Sequence, residues 1–411
     1  MSHAATVLDV RIAPLMPNAT FANSPFRQSK VTAFGRGGQI TGIGTAVPKY
    51  QATNKASANF AAKLACGTAL ESRKVLALYR RTGIDQRGSV LLEQSAVTEI
   101  ANGFYKPAEN AQDRGPGTKV RNDRYGAEAP RLAKEAAKVA LKVSGLLSED
   151  ITHLITVSCT GFNAPGIDIA LIDELELPCT TQRIQIGFMG CHAAINGLRA
   201  ANGIVAADKG AKVLMSCVEL CSLHYQYGMV TDHIVSNALF ADGSAAIVLE
   251  SDGSQSTQPS TVTTVDRMPL KIGSVAATGS FLVPSSRDAM TWCIGDNGYQ
   301  MTLSAEVPHL IEEHLVDYLS DFLEQHGESL RSVGGWAVHP GGSRILSAVE
   351  TSLSLPKDAL ATSRSVLADH GNMSSATMLF ILERFIARNQ PKPWVMLGFG
   401  PGLEIEASLI R

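Results

Sequence analysis

Charge of either sign is scarce in this chain. Charged residues make up 18% of it, its 36 lysines and arginines nearly cancel its 38 aspartates and glutamates, and the formal net charge is −2. Such a balance gives no general pull toward nucleic acid or an anionic membrane, so an anionic ligand must be held by a local basic patch. Long apolar runs are missing too, and no stretch is long enough to span a bilayer. The seven cysteines (Cys66, Cys159, Cys179, Cys191, Cys217, Cys221 and Cys293) are odd in number and scattered. That pattern argues against a disulfide scaffold and fits a reducing compartment such as the cytoplasm. Cys217, Cys221 and His224 are neighbours in an apolar segment without a matching second pair, so no metal site is expected. Acids are almost absent from residues 1–36, where Asp9 stands against Arg11, Arg27, Lys30 and Arg36. This irregular extension lacks the apolar core of a secretory signal and reads either as an organelle transit peptide or as a plain disordered tail.

At 411 residues and 45% hydrophobic, the chain can bury a core large enough for two or three domain-sized units or one duplicated fold. Order begins near Gln39 with a short strand in QITGIGTAVP. Residues 55–81 have helical spacing, with Arg73, Lys74, Arg80 and Arg81 bunched toward the end. These basic residues are either a solvated face or a patch for phosphates. A polar loop over 107–117 precedes a helix over 130–143, a strand over 154–157 and a helix over 168–175; further strands are expected at 212–217 and 244–249. The alternation predicts a mainly parallel sheet covered by helices. After a Ser/Thr-rich connection over 251–264 the theme repeats. Helices are expected at 307–323 and 344–353, strands at 335–338, 394–397 and 404–408, and one more helix opening at His370-Gly371-Asn372. The division is an extension over 1–36, one half over 37–264 and a second over 265–411.

The centre of the chain is RIQIGFMGCHAAINGLRAANGIV, residues 183–205. Alternating apolar residues end a strand, Gly187 and Gly190 turn it, and an amphipathic helix follows Cys191. A sulfur at a strand-to-helix turn lies near unpaired helix N–H groups and the positive end of the dipole, both of which favour thiolate. A buried structural cysteine is the plainer reading; the glycines before Cys191 and the Ala-Ala after it point instead to a nucleophile. His339 and Asn372 also stand beside glycine at a strand end and a helix start. Alone, each fits an ordinary structural role or an N-cap. With Cys191 they supply a nucleophile, an imidazole to hold it as thiolate, and an amide donor for a developing oxyanion.

APRLAKEAAKVAL (129–141), ITHLITVSCTGFNAPG (151–166), GFMGCHAAINGLR (187–199), LFADGSAA (239–246), VHPGG (338–342), GNMSSAT (371–377) and GFGPGLEIE (398–406) occur in that order. With these stretches the chain resembles the type III polyketide synthases, the chalcone-synthase-like enzymes of the thiolase superfamily, from about residue 40 to its end. The resemblance implies an α/β fold, a thiolase-like duplicated αβαβα arrangement of five layers, normally in a homodimer. It places Cys191 on the acyl-accepting cysteine and His339 and Asn372 on the decarboxylating pair. Phe240 falls on a gatekeeper phenylalanine, and Met301 replaces a second one. Lys74 and Arg81 fall on CoA-phosphate residues, while a third basic position holds Ala77, with Arg73 or Arg80 as substitutes. Cys159, Ala164, Cys221, His224 and Ser374 fall on pocket positions, in a combination closer to bacterial and algal members than to plant ones. The implied substrates are malonyl-CoA and an acyl-CoA starter, with no cofactor, nucleic acid or membrane partner. Cyclisation to a phloroglucinol-type aromatic is the expectation. The alternatives are an alkylresorcinol, alkylpyrone or acylphloroglucinol made from a long acyl starter, and a chain-initiating ketoacyl-carrier-protein synthase, whose His-Gln-Ala-Asn-like segment is missing. A non-catalytic binding protein is disfavoured by the intact trio, and a cysteine peptidase by the lack of its local signature.

Overall fold

A computed structural model describes residues 37–65, 67–110, 112–252 and 271–411. The extension over 1–36 and most of the Ser/Thr-rich connection, with the boundary between the expected halves, lie outside the described residues. The first half runs β1 (Gln39–Ala46), β2 (Gln51–Thr53), α1 (Asn54–Ala65), α2 (Ala69–Arg80), β3 (Gln86–Gly88), α3 (Thr118–Ser144), β4 (His153–Ser158), α4 (Ile167–Leu175), β5 (Gln182–Gly187), α5 (Ala193–Ala207), β6 (Lys212–Leu220), α6 (Thr231–Leu239) and β7 (Asp242–Glu250). The second runs β8 (Gly273–Leu282), β9 (Met290–Gly295), β10 (Gly298–Leu303), α7 (Val307–Glu324), β11 (Gly335–Val338), α8 (Ser343–Ser352), α9 (Ala361–His370), α10 (Thr377–Ala387), β12 (Trp394–Gly400) and β13 (Glu404–Ile410).

Nine of these strands hydrogen-bond in the order β11-β12-β13-β8-β1-β7-β6-β4-β5. Only β4 with β5, β4 with β6, and β11 with β12 pair in parallel; β1, β7, β8 and β13 run antiparallel to their neighbours. The expectation of a mainly parallel sheet is therefore corrected to a mixed one. The single helix expected over 55–81 is two, because Thr68 and Glu71 close a capping box that starts α2 afresh. The strand expected at 244–249 begins two residues earlier, with Asp242 and Gly243 inside β7.

Adjacent residues along the strands are buried in different cores, so both faces of the sheet are covered. Leu154 and Leu214 pack under α3 and α4, whereas Ile155 and Met215 pack with Leu198 of α5 and Leu379 of α10. In the second half Ala337 and Met396 join that same central core, while Val338 and Val395 pack under α7 and α8. The layers are thus helix, sheet, the central pair α5 and α10, sheet, helix. α3 lies so close to β1 that a Cβ on Gly44 would collide with the Ala136 carbonyl. No helix among the described residues is long and apolar enough to cross a membrane.

Candidate active site

Cys191 is held where β5 gives way to the central helix α5. The chain turns through left-handed conformations at Phe188 (φ 57°) and Gly190 (φ 81°) and passes through a single 3-10 turn, Gly190–His192, into α5. A Cβ at Gly190 would strike the ring of Pro401 in the loop after β12, so this turn requires glycine. The Ser374 and Asn372 side chains lie near the Cys191 sulfur and favour its thiolate. Asn372 Oδ1 is already occupied, accepting the Ser374 backbone N–H at 2.8 Å, which leaves the amide NH2 to face the sulfur as a donor. The Asn372 backbone is stitched to the segment after α6: its N–H donates to Leu239 and its carbonyl accepts from Ala241, both at 2.9 Å. Phe240 and Asn372 therefore fix each other's position.

His339 follows β11, its backbone N–H bonded to Leu397 of β12 at 2.8 Å. Its ring is buried, and neither ring nitrogen has a partner. Burial, then the nearby charge of His192, pushes its pKa down to about 3, so the imidazole is neutral. Burial also pushes the Cys191 thiol up to about 12, against the Ser374 and Asn372 side chains that favour the thiolate. Burial thus works against the ionisation that the sequence reading expects from helix terminus and ring. Desolvation is the largest influence on the sulfur and disfavours its charged form.

The sulfur opens into an apolar chamber with about 390 Å³ of non-atom space, lined by Cys159, Cys221, Phe240, Met301 and Ser374 of the expected residues. Thr160, Met290, Trp292 and Pro401 are among the residues that line the rest. Two expected pocket residues are elsewhere. Ala164 is exposed, on the loop that leaves β4, and does not line the chamber. His224 stands one layer back, stacked on Tyr299 at 4.1 Å, donating to the Thr160 carbonyl at 2.8 Å and accepting the Tyr299 N–H at 3.0 Å. It lines a second cavity of about 720 Å³, walled by Phe60, Tyr79, Leu91, Leu92 and Tyr105 among others. Cys221, Phe240 and Trp292 border both cavities. Lys74 and Arg81 lie away from the chamber, exposed on the outer side of α2 and two helical turns apart, with Arg73 and Arg80 exposed nearby.

Two residues of the site escaped the sequence reading. Trp292 is anchored by its indole N–H on the Cys159 carbonyl at 2.8 Å and gave no signal in the sequence. Glu219 had one, being a lone acid in the apolar run KVLMSCVEL. Fully buried, it accepts from Ser375 Oγ at 2.6 Å, Thr160 Oγ1 at 2.9 Å and the Cys159 N–H at 3.0 Å, and burial pushes its carboxyl up to about 7.

Residues 27–253 match the chalcone and stilbene synthase N-terminal domain, and residues 274–411 match the C-terminal domain of the same family. The chain belongs to the chalcone and stilbene synthase family. It is a type III polyketide synthase, a malonyl-CoA-dependent acyltransferase, and its family uses CoA thioesters. The synthase is 34% identical over 283 residues to 1,3,6,8-tetrahydroxynaphthalene synthase of Streptomyces peucetius subsp. caesius, spanning 68% of this chain and 72% of that one. Its fold is similar to the crystal structure of PKS-I from the brown alga Ectocarpus siliculosus, with a TM-score of 0.80, 30% identity, and coverage of 92% of this chain and 98% of that one. The C-terminal type III polyketide synthase domain of Steely1, a type I/III hybrid from Dictyostelium, is similar at TM-score 0.78 and 26% identity, covering 91% of this chain and 99% of that domain.

Proposed function

We propose that this synthase loads an acyl group on Cys191, decarboxylates malonyl-CoA with His339 and Asn372, repeats the condensation, and cyclises the chain to a phloroglucinol-type aromatic. The observation that carries the reading is the Cys191 sulfur beneath the Asn372 amide and the Ser374 hydroxyl in an apolar chamber. Loading exchanges one thioester for another and is nearly isoenergetic. Malonyl-CoA then loses CO₂, and the electrons of the broken C–C bond remain as an enolate. The Asn372 amide and the unpartnered His339 ring are the donors for its oxygen, each such donor being worth about 3 kcal/mol or roughly 10²–10³ in rate. The enolate carbon attacks the Cys191 thioester, a C–C bond forms, and the sulfur leaves. Phe240 and Trp292 keep water from the acyl-enzyme.

Lys74 and Arg81 are assigned to the CoA phosphates, and the division into halves over 37–264 and 265–411 is retained. A homodimer is supported by β5, an edge strand with Ile184 exposed at 40%, beside Phe162 at 38%. Malonyl priming fits the small chamber, and the relative named for tetrahydroxynaphthalene makes an aromatic without an alkyl tail. A long acyl starter is the second reading, favoured by the larger apolar cavity across Cys221 and Trp292. Mass spectrometry of products from malonyl-CoA alone, and with acetyl- to palmitoyl-CoA, separates them. A product independent of added starter supports malonyl priming, and products that lengthen with the starter refute it.

A further inference from the structure

His192 is fully buried at the end of the turn that leads into α5. Its Nδ1 lies 2.9 Å from Asn196 Oδ1, and the Asn196 amide is oriented from its other end, where Nδ2 donates to Glu406 Oε1 at 2.9 Å. Nδ1 is therefore the donor of that pair. Nε2, on the far side of the ring, is closed off from solvent and has no hydrogen-bond partner, although a Glu404 oxygen stands 3.4 Å away. The ring is wedged in place, because a Cβ on Gly398 or Gly400 of β12 would already collide with it. Metal-ligating histidines are built this way, with one ring N–H held by an oriented acceptor and the other nitrogen presented to the ion.

Glu404 and Glu406 alternate with Ile405 along β13 and so lie on one face of that strand. An oxygen from each and the His192 nitrogen lie within 4.8 Å of one another, and among the described residues no other set of three His, Cys, Asp or Glu side chains converges in this way. Glu406 is fully buried, and its Oε1 accepts from Asn196, from Ser280 Oγ at 2.7 Å and from Arg199 at 3.2 Å. Its Oε2 accepts from Arg199 and retains a lone pair for a further partner. Two carboxylates thus meet one guanidinium, and buried charge calls for a counter-ion. His192 Nε2 and the Glu404 oxygen, 3.4 Å apart and each about 2.0–2.1 Å from a shared ion, would subtend roughly 110° at it, the tetrahedral angle of zinc. Glu404, with its side chain 24% exposed, supplies the entry path and room for a water.

We propose that His192, Glu404 and Glu406 form a binding site for a divalent transition-metal ion of the zinc class, with water as the fourth ligand. One imidazole nitrogen and two carboxylate oxygens suit zinc better than the all-oxygen shells of calcium or magnesium. The ion takes the place of any proton on Nε2 and ties the turn that carries Cys191 to β13. The site is independent of the roles proposed above for Cys191, His339 and Asn372.

The test is zinc binding by the full chain, stripped with EDTA and with its exposed thiols blocked by iodoacetamide so that Cys179 and Cys293 supply no ligand. Calorimetric titration with zinc chloride, and metal analysis after gel filtration, should show one ion per chain, and zinc should raise the melting temperature. Glu404→Gln is expected to weaken binding roughly tenfold or more, and His192→Asn to abolish it. Failure of the parent chain to bind zinc overturns the proposal, as does binding with the same affinity in both variants. Loss of cooperative melting would reveal a misfolded His192→Asn, and Glu404→Gln, at a half-buried site, then decides alone. The titration needs no substrate, so its outcome is separate from whether the chain releases CO₂ from malonyl-CoA.

Discussion

The Asn372 oxygen accepts the Ser374 N–H, which turns the amide NH2 toward the Cys191 sulfur as a donor. Replacing Asn372 by alanine removes a donor from the enolate oxygen. Asn372→Ala is expected to slow CO₂ release from malonyl-CoA by roughly 10²–10³ while Cys191 still accepts an acyl group, measured by radiolabelled CO₂ and intact mass. Glu219 makes a separate prediction about stability. Its folded pKa of about 7 lies above the ordinary carboxyl value of 4.5, so its stabilising contribution is present below that value and is lost as pH rises through about 7. Glu219→Gln should therefore gain stability relative to the parent between mildly acidic and mildly alkaline pH, by about 2–3 kcal/mol, read as a narrowing or reversed difference in melting temperature. Cys191, His339 and Asn372 were legible as candidates because glycine flanks each one at a turn. Their protonation was not, since it depends on burial by residues distant in sequence. Nor was Trp292, which reaches the chamber through the β9–β10 hairpin.

At the scale of elements, β12 owes its closeness to the nucleophile's turn to its glycines. A Cβ at Gly400 would collide with the His192 ring, so Gly400→Ala should cost about 1–3 kcal/mol in a melting experiment. Gly203, in α5 with nothing within 4 Å of its Cβ position, offers the contrast: Gly203→Ala should stabilise by about 0.5–1 kcal/mol. α2 carries its prediction on the exposed side. Lys74→Ala and Arg81→Ala should each raise the KM for malonyl-CoA roughly threefold with kcat held, and the effect should shrink at high salt. The strongly periodic helix over 307–323 and the strand over 335–338 were legible and were found within a residue or two. α9 was not, because it buries Thr362 and Ser363 beside Val366 and Leu367, and its apolar face is weak. β8, with the small-residue run GSVAATGS, gave no strand period for the same kind of reason. Pairing direction was equally hidden, being set by connections between elements and not by the composition of each strand.

Across the whole molecule, five layers bring the ends of β5 and β11 and the loop before α10 to one central core, and the two matched family domains meet there. The exposed edge of β5 makes the proposed dimer testable: Ile184→Lys should shift sedimentation toward a monomer, and an unchanged mass would place the partner surface elsewhere. The central claim is that carbon–carbon bond formation passes through one sulfur while decarboxylation depends on other groups. The measurement that meets it most directly is Cys191→Ala given malonyl-CoA and a starter, with CO₂ and polyketide product followed together in folded protein. The account predicts that CO₂ is still released while no acyl-enzyme and no extended product form. Continued chain extension by Cys191→Ala would contradict it.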